Sequence, residues 1–231
     1  MEATIKGLGR RLQYGLWALI AVVSLLATAQ ASTLLFEPKD IQTWQSKSFA
    51  GQTHYSSVVL DGQEVLHARS NGSASALVKA QKIDLLATPY IHFSWRAETL
   101  LPPLKEQTKQ GDDYVARVYV VFERGIMGLN SLALNYIWSS QPVTNDGWDN
   151  AFAGARVKML ALRGPYSQSG QWYSERRNVY QDMIALFGDK GSEEANQAAY
   201  RYADAVAIMT DSDNSELAAS AYYGPISFRS E

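Results

Sequence analysis

Short segments in which apolar and polar side chains alternate make up much of the chain. The longest alternation covers residues 114–123, where Val118 and Val120 fall on one face and Arg117 and Tyr119 fall on the other. A period of two residues is typical of a β-strand, because successive side chains of a strand point to opposite faces. Both faces of this segment are largely apolar, so we expect it to lie in the middle of a sheet.

Nine further segments show a strand pattern, and turn signals separate several of them. The dipeptide Asp61-Gly62 predicts a two-residue hairpin turn, and Asn71-Gly72 marks the next reversal of the chain. The nine segments are residues 44–49, 54–60, 64–69, 74–83, 90–97, 132–139, 156–163, 205–209 and 221–228. About ten short strands at this spacing are typical of an antiparallel β-sandwich.

The apolar period changes from two to about 3.6 over residues 175–187. In that segment Val179, Met183 and Phe187 are spaced four residues apart, which predicts a helix with Ser174 as its N-cap. Residues of this kind bury one helical face against a sheet. We therefore expect the segment to pack on the sandwich.

Charged residues on the same segment, Glu175, Arg177 and Asp182, are expected to dock the helix through charge pairs. Ser192, which two glutamates follow, predicts the start of a second short helix. The whole pattern predicts a mainly β fold. It is an antiparallel β-sandwich of the jelly-roll, carbohydrate-binding-module type, with one helical insertion before the last strand pair.

The first segment of the chain has the three parts of a secretory signal peptide. Lys6, Arg10 and Arg11 precede an apolar run over residues 12–27, and small residues follow up to Ala31. The run is shorter than the ~20 apolar residues that span a bilayer. We predict that residues 1–31 are a signal peptide and that residues 32–231 are a single domain without a membrane span. The expected location is the periplasm or the extracellular medium.

Composition excludes several classes of chemistry. The chain has no cysteine, which excludes disulfides, thiolate catalysis and cysteine-ligated zinc. Its formal net charge is −2, and the predicted signal peptide carries more basic than acidic residues, so the remaining chain lacks the basic excess of a nucleic-acid-binding protein. The sequence also contains no Gly-x-Ser-x-Gly elbow, no His-Glu-x-x-His pair and no phosphate-binding glycine loop.

An acidic turn joins the last two predicted strands. Asp211, Asp213 and Asn214 offer three oxygen ligands at the short spacing found in calcium loops, which suggests a structural calcium site. We favour the alternative, a turn in which these side chains bond to nearby backbone groups. Asp112 and Asp113, which precede the longest alternation, would strengthen the calcium interpretation if they approached the turn.

The chain is rich in aromatic residues, and four side chains suggest a binding groove. Trp148 and Trp172 lie in or beside loops rich in turn-forming residues, while Arg117 and Tyr119 share one strand face. Aromatic rings stack on sugar faces and polar side chains fix the orientation of a ligand. We predict that these four residues bind a glycan or another small polar ligand of the cell envelope.

Two other functions are consistent with the sequence. A polysaccharide hydrolase or lyase would draw paired carboxylates from Asp112, Asp113, Glu175 and Asp211. A structural or assembly factor of the envelope would instead show an exposed apolar patch. We favour the non-catalytic binding function.

Several stretches resemble one family, the bacterial exported proteins grouped as domain of unknown function 3047. The matching stretches are residues 111–122, 134–139, 175–179 with Asp182 and 187–188, 208–214 and 221–224. The resemblance implies an exported protein whose fold is similar to carbohydrate-binding sandwich domains, and it implies no established activity. Pro225 stands where the family pattern suggests an acidic residue, which removes one conceivable cation ligand.

Overall fold

Alternating side chains sort the chain into two stacked sheets. A computed structural model describes residues 33–125, 130–144 and 146–231 and shows thirteen strands and three α-helices in those ranges. The strands are β1 Leu34–Phe36, β2 Gln45–Ala50, β3 His54–Leu60, β4 Gln63–Asn71, β5 Ala74–Asp84, β6 Tyr90–Ala97, β7 Ala116–Phe122, β8 Leu132–Trp138, β9 Trp148–Asn150, β10 Gly154–Arg163, β11 Tyr173–Asn178, β12 Tyr202–Asp211 and β13 Ala218–Arg229. The helices are α1 Pro38–Ile41, α2 Val179–Phe187 and α3 Glu193–Tyr200.

One sheet has six strands and the other has seven. The six-stranded sheet has the order β11-β6-β13-β4-β3, with β1 paired to β13. The seven-stranded sheet has the order β2-β5-β12-β7-β8-β10-β9, and only its β8–β10 pairing is parallel among the described strands. The predicted jelly-roll sandwich is confirmed, and β7 lies in the middle of its sheet as expected.

The inward faces of both sheets form the hydrophobic core. Val118, Val120 and Phe122 of β7 are almost completely buried there, together with Trp95 of the opposite sheet and Trp138 of β8. Burying side chains of this size contributes about 1.5–3 kcal/mol each. The outward face of the seven-stranded sheet carries both polar side chains, such as Arg117 and Asn135, and a small apolar cluster around Met209.

The hairpin between β3 and β4 forms as the sequence predicts. Asp61 and Gly62 both have positive φ, +53° and +78°, and Leu60 pairs with Gln63 across the turn. These are the backbone angles of the turn whose twist matches that of the flanking strands.

The helical insertion lies between β11 and β12, before the last strand pair, as predicted. The predicted start of its first helix is wrong by four residues, because the open edge of β6 takes up the preceding segment as a strand. Tyr173 pairs with Trp95 at one end of this ladder and Asn178 pairs with Tyr90 at the other. Asn178 then caps the helix in place of the predicted serine, accepting a hydrogen bond from the backbone N–H of Gln181.

The later start of α2 explains a charge pair between β11 and this helix. Because Arg177 lies at the end of β11 rather than inside a helix, its guanidinium reaches Asp182 in the first turn of α2. The buried Tyr136 donates a third hydrogen bond to Asp182, with an Oη–Oδ2 distance of 2.7 Å. The pair therefore joins the insertion to both sheets. The second helix begins after Ser192, as predicted, and Ser192 Oγ accepts from the backbone of α3.

Two further observations concern the membrane and the chain start. No helix in the described ranges is both long and apolar enough to cross a bilayer. The predicted signal peptide, residues 1–31, lies outside the described residues and stays a prediction.

Candidate ligand-binding cleft

A cleft of about 520 Å³ lies on the outward face of the seven-stranded sheet. Strands β5, β7, β8, β10 and β12 form its floor, and β2 and the β9–β10 turn form its two sides. It is lined by Lys47, Phe49, Ala74, Asp112, Arg117, Tyr119, Ala133, Asn135, Asn150, Phe152, Ala153, Val157, Met209, Asp211, Asp213 and Asn214.

A buried ion pair anchors the floor. Arg117 and Asp211 are 3% and 1% exposed, and the guanidinium donates to both carboxylate oxygens, with an Nε–Oδ1 distance of 2.7 Å. Arg117 Nη2 also donates to the backbone carbonyl of Asp112 at 2.6 Å, and its guanidinium carbon lies 4.3 Å from the ring centroid of Tyr114. These contacts leave the arginine fixed in one position.

A second set of hydrogen bonds connects the floor to one side of the cleft. Asn150 Nδ2 donates to both oxygens of the buried Asp112 carboxylate, at 3.0 and 2.9 Å. Asn150 Oδ1 accepts from the backbone N–H groups of Phe152 and Ala153. Burial raises the pKa of the Asp112 carboxyl, and this effect is larger than the opposing effect of the positive charge on Arg117. The turn that carries Phe152 is thus held by the same network as the floor.

Asn135 and Tyr119 lie side by side on neighbouring strands of the floor. Asn135 is completely buried, its Nδ2 donates to Met159 Sδ, and its Oδ1 has no hydrogen-bond partner in the described part of the chain. Tyr119 accepts from Arg117 and donates to Met209 Sδ. Burial raises the pKa of Tyr119 to about 12, so its hydroxyl stays protonated at neutral pH.

Two exposed phenylalanines stand on opposite sides of the cleft. Phe49 on β2 is 61% exposed, and Phe152 in the β9–β10 turn is 55% exposed. Each ring has a lysine ammonium near its face, Lys47 for Phe49 and Lys109 for Phe152. Exposed large aromatic side chains beside a concave surface are a common feature of binding sites.

The acidic turn lies at one end of the cleft, and Asp113 approaches it. One carboxylate oxygen from each of Asp113, Asp211 and Asp213 lies within 4.8 Å of the others. Asp113 accepts three hydrogen bonds, from the backbone and side-chain nitrogens of Asn214 and from the backbone of Ser215. The structure therefore shows a turn at residues 213–216 that Asp113 holds from outside the segment. Calcium binding by Asp211, Asp213 and Asn214 stays a prediction.

The four residues predicted to bind a ligand are divided by the fold. Arg117 and Tyr119 line the cleft. Trp148 packs against a small apolar cluster formed by Tyr114, Ile137, Met159 and Ala161. Val157, which lines the cleft, packs against the same cluster. Trp172 precedes β11 of the other sheet and is outside the described lining of the cleft.

Of the four acids of the hydrolase alternative, Asp112, Asp113 and Asp211 lie in or beside the cleft, whereas Glu175 lies apart on β11. Only Asp112 and Asp211 line the cleft, and both are held by the hydrogen bonds described above. Glu175 lies on β11, where it accepts from Trp95 Nε1 at 2.9 Å and from Arg163 Nε at 2.5 Å. It forms no pair with the cleft carboxylates.

Comparison with known proteins bears on this arrangement. The profile of a family described as protein of unknown function, DUF3047, matches residues 42–227, which include every cleft residue named above. The chain belongs to the DUF3047 family. The resemblance inferred from the sequence is thereby confirmed. No curated protein matches this DUF3047 chain.

Solved structures similar to this DUF3047 member include carbohydrate-related β-sandwiches. A xylan-binding module from Roseburia intestinalis has 16% identity, covers 85% of this chain and 94% of its own, and gives a TM-score of 0.30. Endoglucanase 3 of Trichoderma harzianum, of glycoside hydrolase family 12, has 9% identity, covers 88% and 99%, and gives a TM-score of 0.38. At these values the likeness says nothing about the cleft.

Several cleft residues of this DUF3047 member were not singled out by the sequence pattern. Asn135 is a polar residue inside the otherwise apolar strand β8, and Phe49 is an isolated aromatic residue in the otherwise polar strand β2. Both are departures from the local pattern, and such departures often mark functional positions. Phe152 carries no comparable signal, because its position depends on a side-chain network that joins distant segments.

Proposed function

We propose that the protein is an exported, non-catalytic binding protein that holds a glycan or another small polar ligand in the cleft on the seven-stranded sheet. The observation that carries this proposal is the combination of a rigid polar floor with two exposed phenylalanine rings on opposite sides of one cleft. The cleft volume of about 520 Å³ is within the range of roughly 300–1,000 Å³ of small-molecule sites.

The floor is suited to binding because its side chains are already fixed. Arg117, Asp211, Asp112 and Asn150 hold one another by hydrogen bonds. A ligand then meets a surface that loses little conformational freedom on binding, which reduces the entropic cost of association.

The two sides of the cleft are suited to contact with sugar rings. Phe49 and Phe152 each present much of a flat apolar surface to solvent. Such surfaces stack on the apolar faces of sugars while polar groups below receive their hydroxyls.

Ligand titration with matched variants tests this function. The purified protein would be screened on a glycan array, and hits would be quantified by isothermal titration calorimetry. Phe49→Ala and Phe152→Ala are expected to weaken binding without lowering the melting temperature, since both rings are exposed. Tyr166→Ala is the matched control, because Tyr166 is 87% exposed and lies outside the cleft. Failure of every carbohydrate and small polar ligand to bind would reject the proposal.

A polysaccharide-active enzyme is the second candidate, favoured by one observation. Asp112 and Asp211 line the same cleft, and burial raises the pKa of each carboxyl, a property that general acids share. Release of reducing ends from a bound polysaccharide, lost in Asp112→Asn, would establish this function in place of simple binding.

Export rests on the sequence of the first segment and has its own test. Expression in a bacterial host with its signal segment, followed by mass measurement of the periplasmic and medium fractions, is expected to give a chain that begins after Ala31 or Ala29. A full-length chain confined to the cytoplasm would contradict it.

A further inference from the structure

The cleft offers a ligand very few positive groups. Arg117 directs N–H groups to Asp211, to the carbonyl of Asp112 and to Tyr119. One face of its guanidinium is covered by the ring of Tyr114. A cation that is already paired and buried gives little attraction to an incoming carboxylate or phosphate, because that attraction would have to replace existing hydrogen bonds.

Negative charge exceeds positive charge around the floor. Three carboxylates line the cleft, those of Asp112, Asp211 and Asp213, whereas the basic lining residues are Arg117 and Lys47. Lys47 is exposed on the edge strand β2, and Lys109 lies beside Phe152 at the other side of the cleft. A fourth carboxylate, that of Asp113, lies directly behind the turn.

The geometry of the acidic turn adds to this excess of negative charge. One carboxylate oxygen from each of Asp113, Asp211 and Asp213 lies within 4.8 Å of the others at the end of the cleft. An anionic ligand brought into the cleft would meet repulsion, and a cationic or neutral ligand would not.

Asn135 indicates which hydrogen-bonding group a ligand must offer to the floor of the cleft. Its Oδ1 is an acceptor, it is buried, and it lacks a partner in the described ranges. Leaving such a group unpaired costs about 1–3 kcal/mol, and native structures retain few of them. A hydroxyl or an ammonium can donate to this oxygen, whereas a carboxylate or a sulfate cannot.

We infer that the cleft selects a sugar that offers hydroxyl or ammonium donors and bears no acidic group, and that Asn135 Oδ1 accepts one of those donors. This inference rests on the proposed binding function. It makes Asn135 a specificity-determining residue of the floor, with Phe49 and Phe152 supplying contact area at the sides.

Three matched oligosaccharides test the selectivity. A neutral cello-oligosaccharide, an amine-bearing chitosan oligosaccharide and an acidic oligogalacturonide of equal length would be titrated at low and at physiological salt. The neutral or the amine-bearing probe is expected to bind at least tenfold more tightly than the acidic one. The amine-bearing probe is expected to lose affinity as salt rises, because screening weakens its attraction to the carboxylates.

The variant Asn135→Leu tests the role of the acceptor. It keeps the branched shape of the side chain and removes the oxygen, so affinity for the best probe is expected to fall about tenfold, equivalent to one hydrogen bond. Its melting temperature is expected to stay equal or to rise, because an unpaired buried acceptor has been removed. Tyr166→Ala again serves as the control. A variant that binds as wild type would overturn the role of Asn135.

The outcomes separate this inference from the proposed function. Tighter binding of the acidic probe, sensitive to Phe152→Ala, would overturn the selectivity and leave the cleft as a binding site. Absence of binding by all three probes, and by every ligand of the wider screen, would reject the binding function itself. Should Asn135→Leu fail to fold, the probe series with the wild-type chain still decides the selectivity.

Discussion

Arg117 and Asp211 form a two-pronged ion pair that joins the neighbouring strands β7 and β12 on the outward face of the sandwich. Both side chains are almost completely buried. Removing one member of a buried pair leaves the other charge without compensation, which costs about 3–5 kcal/mol. We therefore expect Arg117→Met to lower the free energy of unfolding by that amount, as measured by guanidinium denaturation.

A double-mutant cycle separates the pair from simple loss of packing. Asp211→Asn combined with Arg117→Met should be less destabilising than the sum of the two single changes, because the isolated charge is then removed. Lys158→Met is the control, since its partner Asp149 is about half exposed and such pairs contribute about 0–1 kcal/mol. Equal losses of unfolding free energy for Arg117→Met and Lys158→Met would show that the buried pair contributes no more to stability than an exposed pair.

Glu106 gives the protein a pH-dependent element. Its carboxylate is 3% exposed and accepts hydrogen bonds from Ser139 Oγ and from the backbone of Ser140, and burial raises its pKa above the ordinary value of 4.5. A raised pKa in the folded state means that ionisation favours unfolding, so this contribution is present at low pH and declines as pH rises above about 4.5.

The variant Glu106→Gln removes this titration. We expect the stability of wild type relative to Glu106→Gln to fall as pH is raised from 4 to 7, as measured by denaturant unfolding at each pH. Thr108→Ala, in the same loop, is the control and should show no such trend. A difference that grows in favour of wild type with rising pH would mean that hydrogen bonding outweighs burial at this carboxyl.

Tyr136 connects the core to the helical insertion through Asp182. Its hydroxyl is buried and donates to a carboxylate that also pairs with Arg177. A hydrogen bond to a charged group contributes about 1.5–3 kcal/mol, and Tyr136→Phe is expected to lose that amount in unfolding measurements. Because Tyr136 belongs to the inward-facing core, ligand affinity at the cleft should not change. Tyr166→Phe provides the exposed comparison and should unfold as wild type does.

The sequence predicts the sandwich well because most of its strands and turns have a recognisable local residue pattern. Alternation over residues 114–123 identified the central strand, and Asp61-Gly62 identified a hairpin whose backbone angles require such residues. The start of α2 was missed because residues 173–178 carry no strand alternation of their own. Their pairing with the edge of β6 is a tertiary effect that a local pattern does not contain.

The candidate site was predicted less completely for the same reason. Arg117 and Tyr119 were identified because they share one face of the central strand. Phe152 and Asn150 lie far from Asp112 in sequence, and only the folded chain brings the asparagine amide onto that carboxylate. Residues 98–113 show no apolar periodicity, yet Glu106 within them is buried and accepts a hydrogen bond from Ser139, which follows β8.

The acidic turn provides the final prediction, which concerns calcium. Asp113 already accepts three N–H groups, and Asp211 accepts from Arg117 and from the backbone of Tyr114. Calcium takes about 6–8 oxygen ligands, and the guanidinium beside Asp211 repels a cation. We expect millimolar calcium, or its removal by a chelator, to leave the melting temperature unchanged. A saturable rise that Asp213→Asn abolishes would instead establish the calcium site, since Asp213 is the least buried of the three carboxylates and the most accessible to an ion.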